Sequence, residues 1–408
     1  MFAFIWVFLG NVCAAQSIND LYNASMQARH DGDYQKFKQL NLDILKIHPS
    51  QPTILYNTSV AYQKLHLPDS THYYLEKLIS WNTNISLKDA DFDRSFPNKQ
   101  FWEGLETLKL HYKNNQEISE ITHTVEGMHH FEDILIFKND IYLTDILEKS
   151  LFKINPKAKT RTIVKEFDQF PIALALNKKK STIWVSLGNV LEDREQTNDN
   201  FIYEIDLATG QKLTELVLPE STLLGSMVYF KGKLWATNSK KPEILVVDAH
   251  TGKLLKTVQV TEAMNLQGIT LDEQNQEFYF SDYIKGVCSF PLEDPNDRTW
   301  FVSDNFLLKG FDGIQYIGKS NLIAIQNNSN PKRVVKLHIG PQKKVIVDMV
   351  DNNLDYKGEP TNLCYIQNKG IYYIANSAWP FYNKDKKPIA DIWENQEIRL
   401  IPKKKLKQ

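Results

Sequence analysis

Six stretches of this chain read as one unit written six times, and that repetition limits the possible folds more than any other feature. Residues 132–145 read EDILIFKNDIYLTD, and 171–186 read PIALALNKKKSTIWVS. Residues 225–238 read GSMVYFKGKLWATN, and 266–282 read LQGITLDEQNQEFYFSD. Residues 312–327 read DGIQYIGKSNLIAIQN, and 360–376 read PTNLCYIQNKGIYYIAN. Each is a short apolar run, a polar turn, and a second run rich in β-branched and aromatic residues. That composition suits two pleated strands joined tightly. Most copies carry Tyr or Trp early in the second strand (Tyr142, Trp184, Trp235, Tyr279, Tyr372) and end it on Asp or Asn, which favour turns.

A third strand signal follows in several copies, at 150–154, 201–206, 244–248 and 334–337. A fourth lies at 162–164, 212–214, 254–258 and 345–347. The copies recur every ~40–55 residues, the range of propeller blades. Four antiparallel strands repeated six times predict a six-bladed β-propeller over residues 116–402. A sandwich is the rival, but it would not need six copies of one unit. Residues 116–125, QEISEITHTV, alternate like a strand and are expected to close the ring by pairing near Tyr372 and 399–401.

Residues 17–112 differ in kind, with helical apolar periodicity and few turn signals. Features at 31–34 and 41–49 are echoed near 66–69 and 74–80, an offset of about 34 residues, the tetratricopeptide period. The fold class is therefore mainly β, with a short tetratricopeptide-like helical domain before the propeller. A further helix is expected over 98–112, with Phe96, Phe101, Trp102 and Leu105 capping the helical stack. The helices could form a short peptide-binding groove, or be a spacer.

Residues 1–15, MFAFIWVFLGNVCAA, resemble a secretory signal cleaved after Ala15, although no Lys or Arg precedes the apolar run. The run is too short to span a bilayer. The expectation is an exported protein, periplasmic or secreted. Cys13 would suit a lipid anchor, but residues 10–12 fit that pattern poorly. Of the other cysteines, Cys288 falls on a third strand of the fourth copy and Cys364 on a first strand of the sixth, so a disulfide is not expected and two buried free thiols are. The formal charge is −1, with 48 basic and 49 acidic residues. No basic field exists to hold a phosphate backbone, which argues against a nucleic-acid partner. Residues 403–408 are expected to be a solvated basic tail.

Innermost propeller strands run along the central channel, so the first residues of the copies line one mouth. Here these are Glu132, Asp133, Pro171, Leu224, Gly225, Gln267, Asp312, Glu359 and Pro360. Acids and amides converging there could hold a hard cation such as calcium, or could simply bond neighbouring backbone and water. An insertion at 191–200 is polar. A second, at 379–395, carries Trp379, Phe381, Tyr382 and Trp393, either as a satellite core or as part of a ligand wall. His123, His129 and His130 lie near the mouth acids in sequence, but adjacent strand residues point to opposite faces.

Residues 131–376 resemble the six-bladed propellers of the gluconolactonase, senescence-marker-protein and luciferin-regenerating group. The phrases FEDI at 131–134, LQGITL at 266–271 and FDGI at 311–314, with the strand ends TD, TN, SD and AN, carry the resemblance. It implies a channel-mouth metal, calcium or another divalent cation, with Glu132 and Asp312 as ligands and Asp312 also as the base of lactone hydrolysis. Gln267 stands where that group has Asn, and Leu224 falls at the remaining Asn position, where it cannot ligate. Two expectations follow. One is a non-catalytic propeller that binds a small molecule or protein partner at the mouth, with the helices as a docking arm. The alternative is a metal-dependent lactonase-like hydrolase.

Overall fold

The computed structural model describes residues 17–113, 117–191, 200–219, 222–352 and 356–407. The expected leader at 1–15, with Cys13, and all but the ends of the 191–200 insertion lie outside them. Among the described residues no helix is long and apolar enough to cross a membrane.

The repeated units form six four-stranded antiparallel sheets, a six-bladed β-propeller. From the channel outward, the first blade is Phe131–Phe137, Asp140–Asp145, Ser150–Asn155 and Thr160–Glu166. The second, third, fourth and fifth blades start at Phe170–Asn177, Leu224–Phe230, Leu266–Asp272 and Phe311–Gly318. The sixth is Leu363–Ile366, Gly370–Ile374 and Gln396–Pro402, and its outer strand is Glu120–Val125 from before the first blade. That strand runs antiparallel to Gln396–Pro402, with Glu120 opposite Leu400 and Val125 opposite Gln396. The two ends of the ring thus share one sheet.

Second strands are apolar almost throughout because neighbouring blades cover both of their faces. Thr182–Gly188 is buried at every position. Where a second strand opens with an aromatic, the ring helps fill the gap to the next blade. Trp235 packs on Phe278 with ring centroids 4.5 Å apart, and Tyr279 stacks on Tyr316 at 5.6 Å. Each such burial contributes on the order of 2–3 kcal/mol.

The strand ends have two jobs. The hydroxyl residue before the terminal Asp or Asn staples blade to blade. Ser281 Oγ accepts the Gly268 N–H at 2.9 Å and donates to the Asp312 carbonyl of the fifth blade at 2.7 Å. Thr144 accepts from Asp133 and donates to Ile172 of the second blade, and Thr237 donates to the Gln267 carbonyl of the fourth. The terminal acid or amide ties down the loops of the mouth. Asp282 accepts from the backbone N–H groups of Met264, Asn265, Ile284 and Lys285. Asn238 does the same for Leu223 and Lys240.

Among the described residues five helices precede the ring: Ile18–His30, Tyr34–Ile47, Pro52–Lys64, Pro68–Trp81 and Lys99–Lys113. The first and third begin 34 residues apart, as do the second and fourth. The chain forms two compact units, one with Leu87–Glu103 beside the helices up to Leu75, the other with Glu76–Ser86 beside Gly104 onward. These units are drawn differently from the ranges 17–112 and 116–402, dividing the last two helices. In the first unit Asp91 receives Arg29 and the Tyr56 hydroxyl. In the second, Thr83 and Trp81 exchange backbone bonds with Asn330, and the fully buried Arg333 donates to Gln326 and to the Ser80 carbonyl.

Two expectations need correction. The basic tail is not solvated: Lys403–Lys407 is a 3-10 turn with Leu406 buried in the core of the last two blades, and Lys405 Nζ donates to the Ile118 carbonyl at 2.7 Å. One apolar residue at the right register was enough to dock the lysines around it. Both cysteines are free, but only Cys288 is buried, Cys364 being half-buried on the inner strand it occupies.

Candidate functional site

The mouth at which the inner strands begin is tight because two of those strands carry glycine there. A Cβ on Gly268 would lie 2.8 Å from the Asp312 carbonyl and from Ile314 N of the fifth blade. A Cβ on Gly313 would lie 2.7 Å from the Thr361 carbonyl of the sixth. The acid or amide before each glycine, Asp312 or Gln267, is thereby set at the rim.

Glu132, Asp312 and Glu359 share this mouth closely enough to repel one another. Burial, and then the charge of Asp312, hold Glu132 well above the usual carboxylate range. The Trp379 Nε1–H opposes this by donating to Glu132 Oε2 at 2.7 Å. Asp312 is pushed up to about 7 by burial and by Glu359, against hydrogen bonds from Thr361 Oγ1 at 3.2 Å and Asn327 Nδ2 at 2.8 Å. Glu359 is raised by burial, and Lys332 Nζ, 3.5 Å away, pulls it back. Asp133, one residue deeper in the channel, is pushed up to about 7 by burial. Its carboxylate ties three blades together, accepting from Ile134 N, from Leu174 N of the second and from Asn362 Nδ2 of the sixth.

The aromatic insertion of the sixth blade is both satellite core and wall. Phe381 is fully buried against Trp393, and the Trp393 Nε1–H donates to the His129 carbonyl at 3.1 Å. Trp379 and Tyr382 turn towards Glu132 and His130. The His130 ring meets Trp379 edge-on at 4.5 Å, and its Nδ1 is 2.9 Å from the Tyr382 hydroxyl. Burial pushes His130 down to about 3, so the ring is neutral. Its Nε2 lies 3.9 Å from Glu132 Oε2.

Gln267 takes a different course. Its Nε2 donates to Asn265 Oδ1 at 2.5 Å, and its Oε1 lies beside Gly225. Leu224 is buried and offers no donor. The three histidines do not converge. His123 sits on the outer strand of the sixth blade, and His129 pairs with Asp145 at 2.6 Å while its neighbour faces the mouth. The residues that sequence reasoning left outside the ligand set are Glu359, Trp379, Tyr382 and Lys332. Glu359 carried a signal, since it directly precedes the sixth copy, at the same end of the repeat that Asp312 opens in the fifth. The wall was signalled only by aromatic density.

The donors are oxygens, which suits a hard cation. Yet among the described residues no group of three or more His, Cys, Asp or Glu side chains is placed to hold a metal ion. Gln267 is engaged with Asn265 and Leu224 cannot help, so the expected ligand set does not form a preassembled metal centre.

No family model matches this chain, and no curated protein matches it in sequence. Solved structures do. The major allergen Mala s 1 of Malassezia sympodialis is similar at a TM-score of 0.50 and 11% identity, over 69% of this chain and 92% of that one. A luciferin-regenerating enzyme is similar at 0.46 and 15%, over 69% and 94%. The WD40 β-propeller domain of Doa1 is similar at 0.46 and 9%, over 71% and 99%. At these identities the likeness concerns the fold alone.

Proposed function

We propose that this chain is a binding propeller whose acidic channel mouth takes a small organic cation. The observation that supports it is the set Glu132, Asp312 and Glu359, all raised by burial and the first two also by neighbouring carboxylates, beside the rings of Trp379 and Tyr382. A cation relieves the repulsion, and aromatic faces add attraction of about 0.5–2 kcal/mol. Calorimetry with benzyltrimethylammonium and, separately, calcium tests the reading. The ammonium ion is expected to bind at pH 8, several-fold more weakly at pH 6, and not to Glu132→Gln or Asp312→Asn. Binding of calcium alone would replace this reading with a metal-dependent one, and binding of neither withdraws it.

The hydrolase is the second reading, favoured by one observation. Asp312, held near 7, is suited to accept a proton near neutral pH. Turnover of δ-gluconolactone by the wild type and its loss in Asp312→Asn would carry it. The 34-residue offset of the helix pairs supports tetratricopeptide-like repeats acting as a docking arm. The apolar residues 1–15 support export, which cell fractionation tests directly.

A further inference from the structure

The channel has a second end, and its chemistry is the reverse of the first. Every inner strand begins at the acidic mouth, so the turns joining first to second strands all gather at the other. Those turns carry Lys138 in the first blade, Lys178, Lys179 and Lys180 in the second, Lys231 in the third, Lys319 in the fifth and Lys369 in the sixth, all exposed. The acids at this end are fewer and mostly engaged: Asp272 is taken up by its own turn at Gln274 and Asn275, Asp140 by Asn155, and Glu277 by Lys343, while Glu273 of the fourth blade lines the opening. In a chain of formal charge −1 this is a marked local imbalance.

A cavity of about 680 Å³ opens at this end, and Lys178, Lys179 and Lys231 stand in its lining. Its volume falls within the range of ~300–1,000 Å³ typical of small-molecule sites. The lining below the lysines mixes apolar side chains, such as the half-buried Leu176 and Val228, with the amides of Gln315 and Asn362. Three of the lysines at the rim are already engaged, since Lys369 donates to Asn139, Lys138 donates to Ser181 and Lys180 lies 3.8 Å from Glu204. The three that line the cavity have no acidic partner among the described residues. Charges of one sign around a concave, low-dielectric opening concentrate ions of the other sign.

We infer that this lysine-rimmed cavity is a second binding site, for a small organic anion with an apolar body. The lysines meet the anionic group, and the inner strands take the body. Asp133, which also lines this cavity, has its carboxylate occupied by the N–H groups of Ile134 and Leu174 and by Asn362 Nδ2.

The test uses three probes with one aromatic body: 2-naphthoate, 2-naphthylmethanol and 2-naphthylmethylammonium, each titrated by calorimetry into the full chain at low ionic strength. The naphthoate is expected to bind at least tenfold tighter than the other two. That preference should disappear in Lys178→Gln/Lys179→Gln/Lys231→Gln, which alters only exposed side chains, and should survive in Glu132→Gln. On the wild type, 0.5 M NaCl should reduce it several-fold, a readout that does not depend on the variant's folding. Absence of naphthoate binding, a preference that persists in the triple variant or in salt, or one abolished by Glu132→Gln would each overturn the inference. Because the Glu132 variant addresses the acidic mouth, failure at one end is distinguishable from failure at the other.

Discussion

Asp312 shows how placement gives an ordinary side chain an unusual property. The residue is common, but burial beside Glu359 raises it to about 7. A carboxyl raised on folding stabilises the fold while protonated. That stability is complete below its ordinary value near 4 and is lost as pH rises towards 7. Asp133 acts in the same direction. Wild-type stability is therefore expected to fall between pH 4 and 7, and Asp312→Asn to remove part of the fall, on the order of 2 kcal/mol. Urea denaturation at pH 5 and pH 8, with chelator present, measures this. A variant and wild type that lose equal stability between those pH values would contradict it. Trp379→Phe keeps a ring in the wall and removes the N–H that holds Glu132 down. It should lower stability by about 1–2 kcal/mol at pH 8 and less at pH 5, because the bond favours the ionised form of Glu132, which falling pH depletes.

At the level of elements, the motif that recurs most visibly turned out to be a joint. Ser281→Ala removes the partner of the Gly268 N–H and of the Asp312 carbonyl together, and is expected to destabilise by about 1–3 kcal/mol. Gly268→Ala drives a Cβ into the backbone of the neighbouring strand and should lower stability by ~2–3 kcal/mol. Thermal melts of the two variants give both values, and a Gly268→Ala protein as stable as wild type would show that the inner strands are not held that closely. The strands themselves were legible because alternation and turn residues are local properties. The hydroxyl staple was not, because the serine at a strand end is local while the carbonyl it reaches is 31 residues away and in another blade. The docked tail escaped for the same reason: nothing near Leu406 in sequence announces the pocket between the last two blades that buries it.

Across the whole molecule, ring closure is the property that makes six weak sheets one structure. Removing residues 17–125 would leave Gln396–Pro402 with an unpaired edge and separate the sixth blade from its outer strand. The truncated protein is expected to unfold over a broad range, with its midpoint lowered by at least several degrees. A single sharp transition at the wild-type temperature would show that closure contributes little. The channel also has a polarity that belongs to no single blade, with carboxylates at one mouth and lysines at the other. It follows from every inner strand running in one direction, so that a lysine bias in five of the six turns gathers at one end.

Periodicity along the chain was sufficient to determine the six blades, the helical segment before them and the strand that closes the ring, because burial on two faces imposes its pattern on neighbouring residues. It also brought Glu132 and Asp312 to one mouth, since register converts distance along the chain into position around an axis. Only the tertiary structure decided that Gln267 turns to Asn265, that Trp379 and Tyr382 wall the site, and that the lysine turns surround a cavity. Those outcomes depend on side-chain directions and on charges meeting across blades, and such encounters leave no period in the sequence.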